Sequence, residues 1–118
     1  KAGVRVILVG NAGGGGEDGF NARNVRYEAG NAVGYGMTWD DALAAITLAP
    51  AVAFGVSDRV GALRVGLEGN LVVWSGDPFE FSTRAEHVYV RGVEYTAPSR
   101  QDLLTRRYMH LPPQYQTP

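Results

Sequence analysis

Val4-Arg5-Val6-Ile7-Leu8-Val9 is a short, almost continuously apolar run rich in β-branched side chains, and it stops at Gly10. A strand of this kind is covered on both faces, as in a parallel sheet, and does not alternate between core and solvent. The glycine-rich, polar stretch Asn11–Asn21 then reads as a loop leaving the strand's C-terminal end, a position from which loops carry function. The chain is thereby committed to a mixed α and β architecture.

The period changes to that of helices after this loop. From Ala22 to Tyr35 the apolar residues Val25, Ala29, Ala32 and Val33 recur at helical spacing, with Gly36 as the stop. Thr38 is placed to accept the Asp41 N–H as an N-cap, and Trp39, Ala42, Leu43 and Ile46 form the buried stripe of a second helix ending near Leu48. Pro50 suits a first helical turn and Gly55 the position just past an end, which predicts a short third helix over Pro50–Phe54.

The second half changes period again. Ala62–Val65, Leu71–Ser75, Glu86–Arg91 and Val93–Thr96 are short apolar or alternating runs separated by glycine or proline turns, the pattern of antiparallel strands. Arg91-Gly92 between two of them predicts a tight hairpin. Ser99 caps a last helix to about Tyr108, and a proline- and glutamine-containing tail follows.

Composition narrows the partners. The formal net charge is −1, and Lys1 is the sole lysine, so no basic excess exists to neutralise phosphates and nucleic acid is not expected. No apolar run approaches the roughly 20 residues of a spanning helix, so no membrane partner is expected either. With no cysteine there is no disulfide, thiolate ligand or cysteine nucleophile, and the compartment stays open between cytoplasm and periplasm.

Two stretches resemble a known family. Trp39-Asp40-Asp41-Ala42-Leu43-Ala44-Ala45-Ile46-Thr47-Leu48-Ala49-Pro50-Ala51 is similar to the helix that ends in a Thr-x-Asn-Pro-Ala signature in the amidohydrolases, especially their imidazolonepropionase-like members. Gly61-Ala62-Leu63, then Gly66 and Leu71-Val72-Val73-Trp74, resembles that family's return into a side sheet. The resemblance runs from about Ala2 to Thr96. It implies an α/β fold in which the last β/α unit of a TIM-like barrel is followed by helices and by the C-terminal strands of a small β-sandwich. Residues 1–56 would be the end of the barrel, 57–98 the C-terminal part of the composite sandwich, and 99–118 a terminal helix and tail.

The chemistry implied by the resemblance is hydrolysis of non-peptide carbon–nitrogen bonds, such as those of cyclic amides, by water activated on zinc or another divalent metal. The family's metal-binding histidines belong to earlier strands, and this chain has only His87 and His110, so the segment alone is expected to bind no metal and to be inactive. Its expected partners are the missing N-terminal part of the same protein, a small-molecule substrate, and a second copy in a homo-oligomer. The family's last-strand aspartate falls on Asn11. A neutral amide is a weak ligand and no base, which leaves a diverged site or a carboxylate supplied by Glu17 or Asp18. Asn11 could equally end the strand because it tolerates turn geometry.

Gly14-Gly15-Gly16-Glu17-Asp18-Gly19 satisfies G-x-G-x-x-G after a strand, but two carboxylates would face the pyrophosphate, so a flexible loop is the better account. Arg23 and Arg26, at the start of the first helix, are the candidates for binding a substrate carboxylate, against the commoner alternative of a packing or solvated face. His87 reads as a surface or sandwich residue. A non-catalytic scaffold that keeps the amidohydrolase shape is the rival reading, and a self-standing small α+β module is a third. The isolated segment is expected to be unstable or oligomeric, because its strands lack partners.

Overall fold

The computed structural model describes residues 3–10 and 22–109, and shows a mixed arrangement of helices with one small antiparallel sheet. Helix α1 spans Val25–Gly34, α2 Trp39–Ile46 and α3 Leu48–Ala53; strands β1 (Leu71–Trp74), β2 (Ala85–Val90) and β3 (Val93–Glu94) follow, then α4 (Arg100–Tyr108). No helix among the described residues is long and apolar enough to cross a membrane.

The helical layer follows the sequence closely. After α1 the chain turns at Gly36, and Thr38 accepts the Asp41 N–H at 3.1 Å to start α2. A hydroxyl oxygen there satisfies one of the N–H groups that a helix start leaves without a backbone acceptor. The α2 helix stops at Ile46, two residues before the expected end, because Thr47 leaves helical geometry and bonds back to the Leu43 carbonyl at 2.6 Å. The third helix therefore begins at Leu48 rather than Pro50, with the proline still inside its first turn. The interior is built from small side chains: Ala29, Ala42, Ala45, Ala49 and Ala51 are buried, and among the described residues Phe79 is the sole large hydrophobic residue buried with them. Alanine at these sites lets the helix backbones approach one another closely.

Two expected strands do not form. Val4–Val9 forms no strand and is anchored to α2 by a bond from Leu8 N–H to the Ala45 carbonyl at 3.1 Å. A strand requires a hydrogen-bonded neighbour, and no strand pairs with it among the described residues. Val4 and Val9 are consequently 77% and 70% exposed. Ala62–Val65 fails for a local reason. Gly61 and Gly66, with φ of 100° and 93°, turn the chain at both ends, and Leu67 N–H closes a turn on the Arg64 carbonyl.

The sheet has the order β1-β2-β3. Leu71 lies opposite Tyr89 and Trp74 opposite Ala85, with an irregularity between Val73 and Trp74. Val90 pairs with Val93 across Arg91-Gly92, whose φ angles of 52° and 78° are those of a type I′ turn. Both central residues are left-handed, as the right-handed twist of a two-residue hairpin requires. Helix α4 is closed by a reciprocal box in which Ser99 Oγ accepts the Asp102 N–H and the Asp102 carboxylate accepts the Ser99 N–H. Helix α4 packs against no other helix or strand among the described residues.

Candidate functional site

The segment Asn11–Asn21, which includes Asn11, Glu17 and Asp18, lies outside the described residues, as does His110. The expected rim is therefore represented by Val9 and Gly10 on one side and by the start of α1 on the other. Arg23 is exposed on the single turn that precedes α1.

Arg26, in the first turn of α1, is differently engaged. Its Nη1 donates to the carbonyls of Pro78 at 2.7 Å and Glu80 at 3.1 Å, and its Nη2 donates to the Thr83 carbonyl at 3.2 Å and to the Tyr27 hydroxyl. The four N–H groups of the two terminal nitrogens thus all have acceptors within the chain. The guanidinium also lies 4.2 Å from the Tyr27 ring centroid and 5.1 Å from that of Trp74, within cation–π range of both. Arg23 and Arg26 are not brought together on one ligand.

An open groove of about 770 Å³ runs between the Gly3–Val6 segment and the helices, with Val4, Val6, Met37, Asp41, Ala45 and Ala49 among the residues that line it. It opens beside Gly3–Val6, the start of the apolar run, and neither Arg23 nor Arg26 lines it.

The groups with displaced pKa values serve structure. Hydrogen bonds from Arg59 and Asn70 hold the Glu68 carboxyl below its ordinary range, and the same pair raises Arg59. Bonds from the Ser99 hydroxyl and backbone lower Asp102. His87 Nδ1 lies 2.6 Å from the Glu94 carboxylate on an exposed face of the sheet. Among the described residues no three histidine, aspartate or glutamate side chains converge as a metal centre would need. These residues do not fit the metal that the resemblance implies, and no chemical step is assigned to them.

Comparison with known proteins decides the family. The sequence model of the Amidohydrolase family matches residues 1–100. The chain belongs to that family. It is similar to Amidohydrolase tasK of Hapsidospora irregularis, 35% identical over 73 residues, a match covering 62% of this chain and 7% of that protein. A solved amidohydrolase from Thermotoga maritima MSB8 superposes with a TM-score of 0.62 at 36% identity, over 66% of this chain and 20% of that one. This amidohydrolase-family chain thus spans a small fraction of the length of the relatives it matches. The family match ends at residue 100, where α4 begins.

The contacts of Asp77 are not legible in the sequence. Trp39 Nε1 donates to both Asp77 carboxylate oxygens at 3.1 and 3.2 Å, while Asp77 Oδ1 accepts the Phe79 N–H at 2.9 Å. Partners 38 to 57 residues apart leave no local signal in the sequence.

Proposed function

We propose that this chain is the C-terminal part of a metal-dependent hydrolase that acts on non-peptide carbon–nitrogen bonds in cyclic or linear amides. The family match across residues 1–100 carries the reading. In it, the segment through residue 56 is the last β/α unit of a TIM-like barrel, and residues 57–98 are the C-terminal strands of a composite sandwich. The Val4–Val9 run, with its exposed apolar side chains, is what a barrel strand without its neighbours would present.

In this reading the metal is held by side chains in the remainder of the same protein, its expected partner. The metal supplies activated water and polarises the scissile bond. This chain supplies Asn11 as the family's last-strand position and Arg23 for an anionic group of the substrate. The test is the complete protein, purified, analysed for bound zinc and assayed on a panel of cyclic and linear amides. Stoichiometric metal with hydrolysis that chelation abolishes supports the proposal. Neither metal nor turnover on any amide would overturn it.

A further inference from the structure

The sheet and the helical layer meet mainly through loops. Among the described residues no strand backbone runs against a helix, and Arg26 of α1 reaches across to the Trp74 ring of β1. One attachment is the connection between α3 and β1. At Gly61 a Cβ would stand 2.5 Å from the Ala51 Cβ, and farther along Gly92 N–H bonds to the Gly69 carbonyl at 2.8 Å. The other attachment is the loop between β1 and β2, residues 76–83. It sends Phe79 into the core beside Ala29 and Ala42, holds Trp39 through Asp77, stacks Phe81 on Tyr27 with centroids 4.3 Å apart, and gives three carbonyls to Arg26.

We propose that the sheet is hinged to the helices at the α3–β1 connection and latched to them by the 76–83 loop, with Arg26 as the pin of the latch. The two attachments differ in kind. The hinge is a covalent connection whose close approach involves small residues at its inner end. The latch is made from contacts between residues far apart in sequence, and it can open without breaking any strand pairing. Arg26 is suited to the role because one planar guanidinium fixes three successive parts of the loop, at Pro78, Glu80 and Thr83, while lying over the Trp74 ring of β1. Lysine carries the same charge but cannot present that fork. The inference concerns the geometry of this chain and does not depend on the proposed hydrolysis.

Hydrogen exchange on the full chain tests it, comparing Arg26→Lys, Arg26→Ala and, as a control outside the latch, Arg59→Ala. Opening of the latch should accelerate exchange of amides in residues 76–83 by roughly tenfold or more, while amides of α1 and α2 and the Gly92 amide stay near their original rates. The Arg59 variant should leave the loop unchanged. If Arg26→Ala does not fold, the milder Arg26→Lys carries the measurement. Loop amides that keep their rates in Arg26→Lys, or α1 and α2 amides that accelerate equally with the loop, would overturn the latch.

Discussion

Gly30 on α1 faces the backbone of Phe79: a Cβ at Gly30 would stand 3.0 Å from the Phe79 carbonyl oxygen and 3.3 Å from its Cβ. The helix and the loop meet at a distance tighter than most side chains tolerate, so a methyl here needs the loop to give way by a few tenths of an ångström.

Two opposing effects therefore act on Gly30→Ala. Alanine favours a helix over glycine by about 0.5–1 kcal/mol, whereas forcing a methyl against a fixed backbone costs about 1–3 kcal/mol. The loop backbone is pinned by Arg26, so the clash should win and the variant should lose about 1 kcal/mol. Gly34, on the same helix, has nothing within 4 Å of its Cβ direction. Gly34→Ala should gain up to about 0.5 kcal/mol. Urea unfolding of both checks the contrast, and equal gains would refute the tight contact.

Gly61→Ala should be more damaging. The Ala51 Cβ lies at 2.5 Å and the Thr47 carbonyl at 3.2 Å from the new methyl, and the backbone φ is 100°. Overpacking and left-handed strain add, for a loss of about 3 kcal/mol. The expected readout is a lower thermal midpoint with loss of protection in α3 first.

At Arg91 the prediction has the opposite sign. Its φ of 52° is costly for arginine and common for asparagine, while its backbone N–H already bonds to Asn70 Oδ1 at 2.8 Å and would continue to do so. The side chain is exposed, and its ion pair with Glu68, 3.9 Å away, contributes little. Arg91→Asn should stabilise the hairpin by about 0.5 kcal/mol, seen as slower exchange at Val90 and Val93.

Helix α4 should weaken in acid. The Asp102 carboxyl is lowered because it accepts bonds from Ser99, so its contribution is fully present above the unfolded pKa of about 3.9 and disappears as pH falls through the lower folded value. Helical signal from residues 100–108 should be constant from pH 7 to about 5 and decline below about 4. Ser99→Ala, which removes the hydroxyl of the box, should weaken α4 by about 1 kcal/mol and blunt the acid transition. Backbone chemical shifts against pH would show it, and a helix indifferent to both changes would remove the cap from the account.

The sequence made visible what is local. Thr38 and Ser99 announce helix starts by residue type, and Arg91-Gly92 announces its turn, because each motif satisfies its own backbone within three or four residues. Val4–Val9 has the composition of a buried strand but forms none among the described residues, since pairing depends on a neighbour that the run cannot encode. Ala62–Val65 looked like a strand because its composition is right, but the flanking glycines at 61 and 66 decide its shape. Arg26 illustrates the harder case. An arginine at a helix start looks the same whether it meets a ligand or a loop more than 50 residues away. For the site, the family was legible in motifs, whereas Asn11, Glu17 and Asp18 lie outside the described residues.

The alanine-built interior has a consequence for how this chain responds to denaturant. The sensitivity of folding to urea and the heat capacity of unfolding both scale with the surface exposed when the chain opens. Among the described residues the buried apolar side chains are five alanines and Phe79, with larger aliphatic side chains only partly covered beside them, and such an interior releases little apolar surface. Its urea dependence should be shallow and its stability curve flat, so a wide transition is compatible with one cooperative step. Covering Val4, Val6 and Val9 with further protein would steepen both.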